Sequence, residues 1–400
     1  DGVLSTEEGD EDGPRNAVRL DDTEVLLSDT ETSDPTLIYA WDAYQPLRDH
    51  LSGQTAIDRE SIVGATVFTT GNPTRRMKLM YDAIQLADGI KLAETPTVCT
   101  TGATTLSCAD AGILDATDAG VETTRDCPAT EHSDFKEIHT RVWIPMVQNG
   151  KRPYLLDGGE LITFTEGQPA DFPGYEDVCV SITIPKSPMP PGGWPVMIYG
   201  HGTGGNYRTG AQLLGASMST LQEESGGAQP IVVIGYDAPM HADRKGKGLF
   251  AQLDSGPLYY NFTNPPAAKG NFFQGAADVF ALAKFVADLS DGVKVGKHVA
   301  AGVELGDAEN ALKNLKFDPN KIMFHGHSQS GATGPLITPF TEQLSQVVLS
   351  GTGGSLVYGL LGKKQPYDVA TGMSIALQEI SLNEQHPALH LMQYYFDEVD

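Results

Sequence analysis

The 400-residue sequence is poor in basic side chains, with 27 Lys and Arg against 52 Asp and Glu and a formal net charge of -25 at pH 7. Because phosphate backbones are bound by clustered Lys and Arg, this deficit argues against nucleic acid as a partner. The sequence also lacks any run of 18 apolar residues, so no membrane span is expected. A strongly acidic balance of this kind suits a soluble secreted protein or a protein from a saline habitat.

Cysteine is scarce as well, and none of the four cysteines shows the paired C-x-x-C spacing of a zinc or redox site. We expect two disulfides formed in an oxidising compartment, with four reduced cysteines as the alternative. Four cysteines permit three pairings, of which the simplest joins Cys99 to Cys108 and Cys127 to Cys179. The sequence starts at Asp1 rather than Met, which suggests processed mature numbering. The expected disulfides and the acidic composition favour a secreted or periplasmic location.

Composition divides the chain into three predicted regions. Residues 1–35 are rich in Asp, Glu, Gly, Ser and Thr, which predicts an acidic tail or linker. Such a segment buries too little apolar surface to offset the conformational entropy that it would lose on ordering. The acidic run at 7–12 could recruit Ca²⁺, but its spacing is not that of an EF-hand, so a solvated tail is preferred. Residues 36–134 form an N-terminal extension with a cysteine-containing loop, and residues 135–400 form the main domain.

Hydrophobic periodicity predicts strands and helices that alternate in the second half of the chain. The predicted strands are 62–70, 138–147, 160–165, 178–185, 195–199, 231–236, 322–324 and 346–349. The predicted helices are 73–88, 209–224, 271–290 and two pieces within 372–396 that are split near Pro387. This alternation predicts an α/β fold, with a mainly parallel sheet and helices on both faces.

A sharp turn of small residues follows the apolar run at 322–324, and Ser328 stands at its apex. The segment Gly-His-Ser-Gln-Ser matches the nucleophile-elbow pattern G-x-S-x-G, with Ser330 in place of the last Gly. So tight a strand-to-helix turn strains the backbone at its apex, and the flanking residues must therefore be small. The pattern predicts a nucleophilic serine, although a structural turn or a degenerate site would show the same letters.

A second turn, His-Gly-Thr-Gly-Gly at 201–205, follows the predicted strand 195–199. In open α/β sheets the sites lie outside the carboxyl ends of the strands, so the two turns are expected to meet. Backbone N–H groups of such turns can stabilise an oxyanion. The predicted donors are the N–H groups of Thr203 and Gln329, with Gly204 as the alternative to Thr203.

The two turns and the helix between them resemble the α/β-hydrolase superfamily of lipases and esterases over residues 138–360. Gly-His-Ser-Gln-Ser-Gly is similar to the Gly-His-Ser-x-Gly-Gly form of bacterial members, and the Thr-Thr at 69–70, Gly-Trp-Pro at 193–195 and Asn-Phe at 271–272 resemble large secreted lipase-like hydrolases. The resemblance implies a Ser–acid–His triad in that chain order, an oxyanion hole and a cap. It implies no metal and no organic cofactor.

The chain departs from this family after Ser328. The family places its acid and its histidine after two further strands, and residues 355–400 show cap-like helices instead, as in a fold that lacks its last strands. His386 and His390 are the only later histidines, and a connector and a helix face are the preferred interpretations for them. The expected acid and base therefore lie on polypeptide beyond this chain, for example a C-terminal chain of the same precursor.

Three other polar residues are candidates for the site. His241 and Asp243 could line the pocket, but hydrogen bonds within their loop are the preferred role. His201 is expected to steady the oxyanion turn. The predicted function is a carboxylic-ester hydrolase that forms an acyl-enzyme on Ser328 with a small-molecule or polymeric ester. The alternatives are a serine peptidase or amidase on the same fold and a non-catalytic binding module.

Overall fold

The computed structural model describes 15 stretches of the chain, and the account below is confined to them. They are 7–8, 16–17, 21–53, 57–62, 65, 72–94, 96–101, 108, 125–221, 228–246, 253–290, 312, 315–364, 368–379 and 382–400. The chain divides into two units, Asp1–Asn72 and Pro73–Asp400. Most of the predicted strand 62–70 and of the acidic run 7–12 lies outside the described residues.

The first unit is built from short elements. They are β1 (Glu7–Glu8), which pairs antiparallel with β2 (Asn16–Ala17), α1 (Asp21–Leu27), α2 (Ile38–Ala43), α3 (Gln45–Ser52) and a 3₁₀ turn (Arg59–Ser61). Arg48 of α3 is buried and donates hydrogen bonds to the carbonyls of Leu26 (2.8 Å) and Trp41 (2.7 Å). Its guanidinium also lies over the Trp41 ring, so one side chain ties the three helices together.

The second unit contains a sheet of seven described strands in the order β3-β4-β5-β7-β6-β8-β9. The strands are β3 (Thr97–Val98), β4 (Phe135–Pro145), β5 (Tyr175–Pro185), β6 (Trp194–Gly200), β7 (Val232–Tyr236), β8 (Phe317–His327) and β9 (Leu344–Ser350). The last four strands in this order form three parallel pairings, and the other three pairings are antiparallel. Parallel strands need crossover connections, which the helices provide. The predicted α/β fold class is confirmed, with its parallel part at the β7-β6-β8-β9 side.

Helices cover both faces of this sheet. They are α4 (Arg75–Gln85), α5 (Thr209–Ser219), α6 (Ser255–Tyr260), α7 (Pro265–Asp288), α8 (Gln329–Ile337), α9 (Leu356–Gly362), α10 (Val369–Leu377) and α11 (Pro387–Phe396). Helix α5 packs so closely on one face that a Cβ at Gly215 would lie 2.9 Å from the Phe135 ring. On the opposite face, Ile138 of β4 shares one core with the apolar side chains of α4 and α7.

Two predicted elements differ from the structure. The predicted strand 160–165 is an irregular segment that makes only an isolated bridge between Leu161 and Gln148. The predicted helix 209–224 ends at Ser219, because Thr220 leaves the helical conformation with φ -108° and ψ 9°, and residues 222–224 lie outside the described residues. No described helix is long and apolar enough to cross a membrane.

The expected pair of disulfides is present, but the predicted pairing is wrong: Cys99 is joined to Cys127, and Cys108 to Cys179. The sheet decides the pairing. Cys99 follows β3 and donates its N–H to the Glu137 carbonyl of β4, which brings it to the Cys127 segment. Separation along the chain therefore does not predict the pairing, because β-strands bring together cysteines that are distant in sequence.

A buried cluster of charges joins the sheet to α7. The Arg244 guanidinium donates to Asp278 of α7 (2.5 and 3.1 Å) and to Glu176 of β5 (2.9 Å). It also donates to the Asp237 carbonyl at the end of β7 (2.7 Å). Arg244 and Asp278 are 1% and 0% exposed, so every charge in the cluster depends on its partners.

We expect Asp278→Asn to lower the free energy of unfolding by about 3 kcal/mol, because the buried Arg244 guanidinium loses a charged partner. Asp288→Asn on the same helix breaks only the partly exposed Lys284–Asp288 pair and should cost less than about 0.5 kcal/mol. Urea unfolding of both variants measures the difference. Equal costs for the two substitutions would contradict a structural role for the Arg244 cluster.

Candidate active site

Ser328 forms a one-residue turn between β8, which ends at His327, and α8, which begins at Gln329. Its backbone has φ 51° and ψ -113°, a conformation that L-residues rarely adopt and that costs about 1–3 kcal/mol. The Ser328 N–H donates to the Ser350 carbonyl (2.8 Å), and its carbonyl accepts from the Ala332 N–H (3.1 Å). These bonds hold the strained residue from both sides and place its side chain beside the first turn of α8.

Small residues are required around this turn because the chain passes very close to itself. A Cβ at Gly326 would lie 2.4 Å from the Ser330 carbonyl oxygen, and one at Gly331 would lie 2.2 Å from Thr352 Oγ1. Ser330 occupies the position of the last Gly in the sequence pattern. Its Oγ donates to the His201 carbonyl (2.7 Å), so this departure from the pattern supplies a bond between the two turns.

The second turn, 201–205, follows β6 and lies against the start of α8. Thr203 Oγ1 donates to Gln329 Oε1 (3.2 Å), and both residues are 2% exposed. The two residues predicted as oxyanion donors are thus neighbours through their side chains, and Gln329 directly follows Ser328 in the chain. The N–H of Gly204, the alternative donor, is already engaged in a hydrogen bond, because it donates to His241 Nε2 (3.0 Å).

His201 and His241 are fully buried and bond to the backbone of the turns. The Ala238 N–H donates to His201 Nε2 (3.0 Å), and His201 Nδ1 lies 2.7 Å from the Gly202 carbonyl. Burial lowers the pKa of His241 well below its usual value. His241 is therefore neutral near pH 7. Both histidines make the loop hydrogen bonds that the sequence led us to prefer.

Asp237, directly after β7, anchors the segment that follows the turn 201–205. Its carboxylate accepts from the Arg125 guanidinium (3.0 and 2.8 Å) and from the Tyr207 N–H (2.8 Å). Burial disfavours the ionised form of Asp237, but the charge and hydrogen bonds of Arg125 outweigh it and lower the pKa of the carboxyl. The sequence analysis did not identify Asp237 or Arg125. For Asp237, a carboxylate directly after a buried strand was a usable signal.

The remaining candidate residues have other contacts. Asp243 pairs with Arg141 of β4 (2.7 Å), so its carboxylate joins the loop after β7 to the sheet. His327 Nδ1 lies 2.9 Å from Ser350 Oγ. His386 caps the start of α11, where its Nδ1 accepts from the Ala388 N–H (3.2 Å), and His390 on α11 is exposed.

Two groups of side chains in the described part of the chain lie close enough to hold a metal ion. They are Cys99, Cys127 and His139, and Cys179, Asp237 and Asp243. Every cysteine in these groups is disulfide-bonded, and the Asp237 and Asp243 carboxylates already bind arginines. Neither donor set therefore fits a metal ion in this state.

An apolar cavity of about 960 Å³ lies between the start of α7 and the helices α10 and α11. Its wall includes Met373, Leu389, Met392 and Phe396, and Lys363 stands among its few charged residues. Ser328 is not part of its lining.

No family model and no curated protein matches this chain. Solved structures with a similar arrangement include the acetyl xylan esterase from Paenibacillus sp. R4 (TM-score 0.42, 11% identity, covering 84% of this chain and 76% of that one). Acetyl xylan esterase 1 from Thermoanaerobacterium sp. JW/SL YS485 is another (TM-score 0.36, 10% identity, 82% and 72%). A CE15 glucuronoyl esterase from Teredinibacter turnerae T7901 is a third (TM-score 0.26, 13% identity, 68% and 50%). Similarity at this level carries no argument about what this chain does.

We expect Gly326→Ala to lower the free energy of unfolding by about 1–3 kcal/mol, because the added methyl group meets a backbone oxygen in the turn. Gly354→Ala is the matched control, since a Cβ there meets nothing within 4 Å. Urea unfolding of the two variants measures the difference. A Gly326→Ala protein as stable as the control would show that the turn is looser than described.

Proposed function

We propose that this protein is a serine hydrolase of carboxylic esters with Ser328 as its nucleophile. The observation that carries the proposal is the Thr203–Gln329 side-chain hydrogen bond, which joins the turn after β6 to the residue that follows Ser328. Two backbone N–H donors and one strained serine at the carboxyl end of a parallel sheet are what acyl transfer needs.

The chemistry follows from these positions. Ser328 Oγ attacks the ester carbonyl carbon and gives up its proton to a general base, while the carbonyl oxygen becomes an oxyanion. The N–H groups of Thr203 and Gln329 donate to that oxyanion; such donors are each worth about 10²–10³-fold in kcat. The alcohol leaves with the proton, and water then attacks the acyl-enzyme and releases the acid.

The general base is not assigned to a described histidine. His201 and His241 use both ring nitrogens on the backbone of the turns, and His139 contacts Glu137 and Tyr207. None of these three histidines is placed to act as the base, and the sequence-based expectation that further polypeptide supplies the base and its acid partner stays a prediction. The two disulfides support an extracytoplasmic location for the reaction.

A fluorophosphonate probe should modify Ser328 of the intact protein, because phosphonylation uses the same nucleophile and oxyanion donors as ester cleavage. Ser328→Ala should abolish labelling, and peptide mass spectrometry locates the adduct. Ser345→Ala is the control, since Ser345 lies on β9 and donates to the Ile322 carbonyl.

The same assay examines the base. His386→Gln should label within about twofold of the wild-type rate, because His386 caps a helix. A loss of about 10²-fold or more, the range for general-base catalysis, would assign the base to His386. Absence of any adduct on Ser328 in the folded, intact protein would favour the non-catalytic alternative.

Matched p-nitrophenyl esters and p-nitroanilides with the same acyl group should separate the reaction classes. We expect kcat/KM for the ester to exceed that for the anilide by about 10³-fold or more, because the anilide nitrogen must be protonated to leave whereas p-nitrophenolate leaves as an anion. An acyl series from acetyl to decanoyl measures the length of the acyl pocket. Comparable rates on ester and anilide would instead indicate a peptidase or amidase.

A further inference from the structure

His201 and His241 are bonded reciprocally. The turn 201–205 contributes His201, whose Nε2 accepts from the Ala238 N–H of the loop after β7 (3.0 Å). That loop contributes His241, whose Nε2 accepts from the Gly204 N–H of the first turn (3.0 Å). The rings meet edge to face with centroids 4.7 Å apart, so each loop holds a backbone N–H of the other through an imidazole.

The hydrogen bonds determine the tautomer of both rings. Each Nε2 faces an N–H donor and must be an acceptor, so the proton is on Nδ1. His201 Nδ1 donates to the Gly202 carbonyl (2.7 Å), and His241 Nδ1 donates to the Pro239 carbonyl (2.9 Å). A protonated ring would direct an N–H at another N–H in a site with no exposure to water. Both rings are therefore neutral in this arrangement.

The backbone on the two sides of His241 is strained. Met240 has φ 61° and Ala242 has φ 49°, and neither is glycine. Such residues cost about 1–3 kcal/mol each and persist only where the surroundings hold them. The two hydrogen bonds of the His241 ring supply that restraint from within the strained segment, in addition to the burial of the loop.

The histidine pair also determines which backbone N–H groups of the turn 201–205 remain available to bind a substrate. Gly204 N–H is bound by His241, whereas no hydrogen bond of the Thr203 N–H is found within the described residues. His201 reaches the other turn as well, because its carbonyl accepts from Ser330 Oγ on α8 (2.7 Å). A displacement of either imidazole would thus move the oxyanion turn relative to Ser328.

We propose that His201 and His241 form a reciprocal clamp that positions the oxyanion turn, withholding the Gly204 N–H and leaving the Thr203 N–H for the substrate. The inference rests on the proposed ester hydrolysis. Both histidines are positioning residues, because they act through the backbone and touch no reacting atom. The clamp should therefore affect stabilisation of the transition state more than binding of the ester.

The first test measures the contacts without catalysis. Long-range ¹H–¹⁵N correlation of the wild-type imidazoles should show the Nδ1–H tautomer for both rings. In His241→Leu, amide hydrogen exchange at Gly204 should rise by at least about tenfold, since its acceptor is gone. In His201→Leu, exchange should rise similarly at Ala238. An unchanged Gly204 amide in His241→Leu, or Nε2–H tautomers in the wild type, would overturn the clamp.

The second test measures positioning with the p-nitrophenyl ester. His241→Leu should lower kcat by about 10²-fold with KM changed less than about threefold, the signature of a lost transition-state interaction. His241→Gln carries an amide oxygen near the place of Nε2 and should recover at least about tenfold of that loss. His390→Gln, an exposed histidine on α11, serves as the neutral control.

The two tests separate the failures. A loss in His241→Leu that is confined to KM, or one that His241→Gln does not recover while remaining folded, would overturn the positioning role. A wild-type protein with the expected tautomers and exchange but with no adduct on Ser328 would refute the proposed function. In that case the positioning role is refuted with it, and the clamp remains as a structural contact.

Discussion

The site depends on the change from strand to helix within one residue at Ser328. That change is possible only because β8 and the first turn of α8 touch at Gly326, where any side chain would enter the Ser330 carbonyl. The strain at Ser328 is held by its bond to Ser350 on the neighbouring strand β9 and by the first hydrogen bond of the helix. The neighbouring strand therefore holds the strained backbone in place, and Ser328 lies at the edge where the parallel strands end.

Around this turn, buried polar groups fix the loops that the sheet alone would leave undefined. Asp237 holds Arg125 and the Tyr207 N–H, and Arg244 joins β5, the end of β7 and α7. Buried charges add little net stability when paired, but removal of one partner is costly, so such networks specify a geometry. The histidine pair continues the same principle with neutral groups, and the turn 201–205 is bonded to the loop after β7 and to Ser330 of α8.

The elements with strong periodicity could be predicted from sequence. Strands 178–185 and 231–236 and the helix at 271–290 are present, with ends shifted by a few residues. The segment 160–165 alternates like a strand but is irregular, since only a bridge to Gln148 forms there. The disulfide pairing was also beyond reach, because it follows from the packing of β3 and β4 and not from separation along the chain.

For the candidate site, sequence alone determined the residues of the two turns, Ser328 with Gln329 and Thr203, because tight turns admit few residue types and leave a readable pattern. Only the tertiary structure determined which hydrogen-bond partners the groups of these turns have. It assigned the Gly204 N–H to His241, bonded Ser330 to His201 and brought Arg125 to Asp237. These choices depend on distances between residues far apart in the chain, and such distances are set by how the sheet packs, which no local pattern encodes.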